Sequence, residues 1–140
     1  MSDYKGRCHC GAIGFRFRTA LVPAEWAIRA CQCSFCRAHD ALSASDPHGE
    51  LCFIAEGKEL LRRYRFGLRT ADFLLCSACG VYIGALIDTS SGQFGIINTH
   101  ALQPQQTDLA PPSPIQYDSE DATARVDRRI ERWTPVTASP

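Results

Sequence analysis

Seven of the eight cysteines in this 140-residue chain stand in close groups. The densest is Cys31-Gln32-Cys33-Ser34-Phe35-Cys36, three thiols within six residues. On a short strand running into a tight turn, Cys31 and Cys33 point the same way and Cys36 curls back toward them. The three sulfurs can then converge on one ion at roughly 2.3 Å each. Zinc takes four ligands and this run supplies three. A three-ligand zinc with an open position is the usual form of a catalytic centre, whereas a closed four-ligand zinc is the usual form of a structural one. Cys31, Cys33 and Cys36 are therefore expected to carry the chemistry, acting through the metal.

Two further pairs, Cys8-His9-Cys10-Gly11 and Cys76-Ser77-Ala78-Cys79-Gly80, each end on a glycine. Strand, C-x-x-C-G turn, strand is the form of a zinc knuckle on a hairpin, and Gly80 permits the positive φ needed as the chain turns away. Cys8, Cys10, Cys76 and Cys79 together would make one closed four-thiol set joining segments more than 60 residues apart. Other partitions satisfy the count. Cys8 and Cys10 could join Cys31 and Cys33, or Cys52 or a histidine could close the triple. Spacing alone does not choose among them.

The elements that must position these thiols read as short strands. Ile13, Phe15 and Phe17 alternate with Gly14, Arg16 and Arg18, the period-two pattern of a half-buried strand. Trp26, Ile28 and Ala30 alternate likewise and lead to Cys31. Leu51, Phe53 and Ala55 repeat the pattern, with Cys52 on the opposite face as a small buried hydrophobe. Residues 59–66 fit helix or strand, and strand is preferred. Phe73 to Leu75 enters the second knuckle, Val81 to Ile87 leaves it, and Phe94 to Thr99 is another apolar strand. Residues 38–49 read as loop with one helical turn, Ala110 to Pro114 as a proline-rich connection, and Glu120 to Arg132 as a charged tail ending at a core plug, Trp133. One domain over 1–140 is expected, with its core at about 4–134 and a loose tail at 135–140.

Fifteen basic and fifteen acidic residues cancel, so bulk electrostatics favour neither nucleic acid nor a membrane surface as partner. The N-terminus carries no apolar signal region and the longest apolar run is too short to span a bilayer. A cytoplasmic location is expected, where thiols stay reduced and grouped cysteines point to metal rather than to disulfides.

The same three motifs, Gly6-Arg7-Cys8-His9-Cys10-Gly11-Ala12-Ile13, Cys31-Gln32-Cys33-Ser34-Phe35-Cys36-Arg37 and Cys76-Ser77-Ala78-Cys79-Gly80, resemble the glutathione-dependent formaldehyde-activating enzyme family, which includes centromere protein V. The resemblance covers nearly the whole chain. It implies a mostly β fold of several small coiled antiparallel sheets with zinc-knuckle hairpins, shared with zinc-dependent Rab chaperones and B-type methionine sulfoxide reductases. It also implies two zinc ions per chain, a structural one on Cys8, Cys10, Cys76 and Cys79 and a catalytic one on Cys31, Cys33 and Cys36. Val81 stands where a threonine is frequent in the family, and the histidine that members often carry near Pro114 to Tyr117 is absent.

Three thiolates leave a zinc centre with a net charge of −1, so it acidifies water less than a three-histidine site does. A thiol in the fourth position suits it better, because coordination deprotonates the sulfur outright. The expected reaction is addition of a glutathione-like thiol to a small, formaldehyde-like aldehyde, a carbon–sulfur lyase step when reversed. Arg37 is placed to meet a carboxylate of such a thiol, Ser34 to bond the sulfurs, and His39 and His100 to relay protons. The alternative is a non-catalytic zinc-stabilised binding module, with the arginines at 62, 63, 65 and 69 touching nucleic acid or protein.

Overall fold

The structure, a computed structural model, describes residues 1–140. The chain begins with a hairpin of β1 (Ser2–Arg7) and β2 (Ile13–Thr19), in register with Tyr4 opposite Phe17 and Gly6 opposite Phe15. The period-two pattern is realised in β2, where Ile13, Phe15 and Phe17 are buried and Arg16 is exposed. β2 pairs antiparallel with β5 (Glu50–Ala55), which sends Leu51 and Phe53 into the same core. Burying each such side chain is worth about 1.5–3 kcal/mol.

A second layer is built on β7 (Asp72–Cys76), β8 (Tyr82–Thr89) and β9 (Gly92–Asn98), with β6 (Leu61–Tyr64) on its edge. The layers meet where Phe53 lies over Gly84 of β8 and Gly95 of β9. A Cβ at Gly84 would sit 3.1 Å from the Phe53 ring and one at Gly95 would sit at the same distance, so glycine is what allows the close approach. On the far side of β9 follow β4 (Ser43–Ala44), β3 (Arg29–Cys31) and β10 (Ser113–Ile115). The architecture is mostly β, with eleven strands in one connected network and two α-helices, α1 (Ser34–His39) and α2 (Ala122–Arg132). Neither helix is long and apolar enough to cross a membrane.

Several sequence expectations change. Residues 135–140 are not a loose tail: β11 (Thr134–Ala138) pairs parallel with β5 and antiparallel with β9, stitching the two layers together. The charged stretch before Trp133 is the helix α2. Asp121 caps its N-terminus by accepting the Ala124 N–H at 2.8 Å, and alanine, arginine and glutamate are good helix formers. The proline-rich connection contains β10, which pairs parallel with β3. Pro114 is tolerated there because β10 is an edge strand. The strand expected from Trp26 shrinks to residues 29–31. Trp26 instead follows a 3-10 turn at Pro23–Glu25 and plugs the core edge-on to Tyr4 and Phe17, with ring centroids 4.8 and 5.3 Å away. Residues 59–66 divide into a 3-10 turn (Lys58–Leu60) and β6.

Candidate metal centre

The first knuckle leaves β1 at Arg7 and re-enters the sheet at Ile13; the second joins β7 to β8. Both turn on a left-handed glycine, Gly11 at φ +85° and Gly80 at φ +81°, the second as expected. The Ile13 N–H donates to the Cys8 Sγ and the Cys79 N–H to the Cys76 Sγ, each at 3.4 Å. These turns bring Cys8, Cys10, Cys76 and Cys79 together with all four sulfurs within 4.8 Å of one another. The Cys8 and Cys10 sulfurs are 3.7 Å apart, and those of Cys10 and Cys76 are 3.6 Å apart. A disulfide needs about 2.05 Å. A tetrahedron with bonds of about 2.3 Å has edges of roughly 3.8 Å, which is the spacing observed. The donor set fits a soft divalent metal ion.

The second group is Cys31, Cys33 and Cys36, again with sulfurs within 4.8 Å. Its local structure differs from the expected strand and tight turn. Cys31 ends β3, Cys33 is the N-cap of α1, and Cys36 lies one turn into that helix. The Cys33 Sγ accepts the Cys36 N–H at 3.4 Å, so the sulfur replaces the usual hydroxyl or carboxylate of a cap. Hydrogen bonds from the Cys31 and Cys36 thiols hold Cys33 far below its ordinary value, to about 2, while the bonds of Cys36 to Cys31 and Cys33 push Cys36 up. No fourth cysteine, histidine or carboxylate joins the three sulfurs. In its place a cavity of about 400 Å³ opens, with all three thiols on its wall.

The chain matches the family described as glutathione-dependent formaldehyde-activating enzyme over residues 3–119. The chain belongs to that family. A solved structure, the crystal structure of a Rhodobacter sphaeroides structural-genomics target, is similar with a TM-score of 0.56 and 31% identity, over 78% of this chain and 99% of that one.

As a glutathione-dependent formaldehyde-activating family member, the chain adds walls to the cavity that the thiol motifs do not reveal. Arg29 comes from β3, and Arg125, Arg128 and Arg129 come from α2, beyond the matched residues. The sequence signal for them was present: positions 125, 128, 129 and 132 share one helix face, but read as an unstructured tail they had no face to share. Glu120 accepts from Arg128 Nε at 2.7 Å and from Arg125 Nε at 3.3 Å, and the bond from Arg128 holds its carboxyl below the usual range. The Arg128 guanidinium also stacks on Tyr117, 3.5 Å from the ring centroid. Behind the triple lies Tyr82 of β8, fully buried. Burial and the neighbouring Cys36, Cys33 and Cys31 charges push its hydroxyl well up, and that hydroxyl has no hydrogen-bond partner in the protein.

Other sequence candidates fall elsewhere. Arg37 is exposed on α1 and is not among the cavity's lining residues, whereas Ser34 is. His39 is exposed and packs on Phe35, with ring centroids 4.5 Å apart. His100 is also exposed, 4.0 Å from Asp40. Neither histidine lines the cavity. His9 is exposed beside the four-thiol group but outside it. Cys52 is half-buried rather than buried, in neither thiol group. Of the arginines proposed for a binding module, Arg63 and Arg65 both pair with Asp72, at 3.1 and 2.6 Å, and so present less free charge than their number suggests.

Proposed function

We propose that this protein is a zinc-dependent enzyme that joins a glutathione-like thiol to a small, formaldehyde-like aldehyde, and that runs as a carbon–sulfur lyase in reverse. The observation that carries the reading is the asymmetry of the two thiol groups: four sulfurs at tetrahedral spacing in one, three sulfurs on a cavity wall in the other. Cys8, Cys10, Cys76 and Cys79 would hold a structural zinc, and Cys31, Cys33 and Cys36 a catalytic one. A zinc ion in the second set supplies an open coordination position at which an incoming thiol is deprotonated.

The protein's own groups do the rest. Phe66, Phe73 and Trp133 supply an apolar wall to the cavity, which keeps water from competing for the aldehyde carbon. Tyr82 stays protonated, so its buried hydroxyl is a donor held ready for a cysteine sulfur of the triple. The arginines give the cavity a positive potential that draws in anionic substrates. In the reaction one carbon–sulfur bond forms and the thiol proton ends on the former carbonyl oxygen. Nothing is oxidised or reduced, so no redox cofactor is needed. A reducing compartment such as the cytoplasm would keep the seven grouped thiols available.

The test is to mix the zinc-loaded protein with glutathione and formaldehyde and follow the S-hydroxymethyl adduct by NMR exchange. Exchange faster than the uncatalysed background, and lost in Cys33→Ser, is expected. Background rates with a range of thiols and aldehydes would leave the zinc-stabilised binding module as the reading.

A further inference from the structure

Two cations in the cavity wall have no acidic partner. Arg129 is only 8% exposed; its Nη1 donates to the Thr70 hydroxyl at 2.8 Å, its guanidinium lies over the Trp133 ring at 4.7 Å, and its Nε has no partner at all. Arg29 donates to the Ser45 hydroxyl at 2.7 Å, and that hydroxyl in turn donates to the Arg132 carbonyl at 2.8 Å. No carboxylate lies within 4.0 Å of either guanidinium, whereas Arg125 and Arg128 share Glu120. Burial pulls both unpaired arginines downward, Arg129 to about 10, yet both remain charged at neutral pH. Arg129 is buried and Arg29 half-buried, and guanidinium charge withdrawn from water without a counter-ion is unfavourable. It marks a place where an anion is expected from outside.

The thiol centre does not supply that anion in full. Three thiolates and a divalent ion sum to −1, against +2 for Arg29 and Arg129. The Arg125, Arg128 and Glu120 cluster adds +1, and the exposed Asp118 at the rim adds −1. The cavity therefore keeps a net charge of +1 with its metal in place. Arg29 and Cys31 lie two residues apart in β3 and line the same cavity, so their Cα atoms are separated by roughly 7 Å.

We propose that Arg29 and Arg129 form a carboxylate clamp which makes the enzyme selective for thiols carrying an acid group a few bonds from the sulfur. The inference rests on the thiol–aldehyde reading and adds the substrate class and the residues that select it. Arg129 lies outside the residues that the family match covers, so the clamp is built by this chain's own C-terminal helix. A charge-assisted bond to a carboxylate corresponds to about 10- to 100-fold in affinity.

The experiment compares 3-mercaptopropionate with 3-mercaptopropanol, in wild type, Arg29→Gln and Arg129→Gln, both as substrates with formaldehyde and as ligands by calorimetry. Thermal melting checks folding. The acid is expected to bind about 10- to 100-fold more tightly than the alcohol in wild type, and the acid-to-alcohol ratio should fall at least tenfold in each variant. Equal affinities for acid and alcohol in wild type overturn the clamp, as does a ratio unchanged in either folded variant, while turnover of both thiols would leave the thiol–aldehyde reading intact. If neither thiol turns over but calorimetry shows the acid preference lost in the variants, the clamp stands and the reaction assignment fails. Should Arg129→Gln not fold, Arg29→Gln and the wild-type ratio decide.

Discussion

Replacing one ligand in each thiol group should have unequal consequences, and the inequality can be worked out from chain positions. Cys10 and Cys76, whose sulfurs are 3.6 Å apart, are separated by 66 positions. An ion holding both is a cross-link across that loop. Treated with the loop-closure entropy used for disulfides, it lowers the entropy of the unfolded chain by an amount worth about 4 kcal/mol. Cys31 and Cys36 enclose only six residues, for which the same expression gives about 2 kcal/mol, and α1 orders that segment anyway. Domain stabilities are about 5–15 kcal/mol, so the first loss removes a large share of the total and the second a small one. Cys76 is also 2% exposed and Cys8 fully buried, so a serine at either position leaves a polar group in the core. Elemental analysis of wild type should find two zinc ions per chain. Cys31→Ser should retain one and melt within a few degrees of wild type. Cys76→Ser should lose the structural ion and melt at least about 10 °C lower, or fail to fold. Wild type with a single zinc, or equal melting losses in the two variants, would refute the assignment of one structural and one catalytic centre.

Three further outcomes follow from the surroundings of the cavity. Tyr82→Phe removes a buried hydroxyl that lacks a partner, so the metal-free protein should be no less stable; if that hydroxyl supports the sulfurs of the triple, a chelator should extract the second zinc at about 10- to 100-fold lower concentration. Trp133→Ala empties a site that is 4% exposed between α2 and β11, and should cost about 3–5 kcal/mol in urea unfolding. Glu120 has its carboxyl depressed by Arg128, so its contribution is present above the unfolded carboxylate range and is lost as pH falls through the lower folded value. Wild type should therefore lose more stability than Glu120→Gln on acid titration below about pH 4.3, read by circular dichroism with both proteins holding the same metal content.

The cysteine groups were legible because each thiol motif is a local object. Two cysteines and a glycine fix a knuckle turn whatever surrounds it, and Gly80 adopts the positive φ that the pattern demands. Strands with a strict two-residue alternation, such as Ile13 to Phe17, were equally plain because one face of each is buried. Which thiols share an ion was not local. It depends on β1 and the β7–β8 hairpin meeting in three dimensions, and motif resemblance alone carried that step; the structure places the same four sulfurs within 4.8 Å of one another. Trp133 is buried as expected, but the charged stretch before it and the tail after it were misread for the opposite reason. Their composition is charged and proline-bounded, the marks of a solvated tail, yet Arg129, Thr134, Thr137 and Ser139 bond to Thr70, Asp46, Leu51 and Gln93, partners that only tertiary contact reveals.

That misreading bears on function, because the same segment closes the cavity. β11 is anchored between β5 and β9, Trp133 is sunk just before it, and the Trp133 N–H closes the last turn of α2 by donating to the Arg129 carbonyl at 2.8 Å. Arg129 therefore reaches the cavity from a helix whose end cannot slide without breaking the strand after it. Meanwhile β10 lies parallel to β3, with Ile115 opposite Cys31, and carries Gln116 and Tyr117 to the cavity wall beside the triple. Arg128 then covers Tyr117, and Glu120 braces Arg128, so the two C-terminal segments lock each other in place. The thiol triple alone would be an exposed metal-binding loop. One side of its cavity, and three of the four arginines that line it, come from the segments after residue 115, which hold no cysteine.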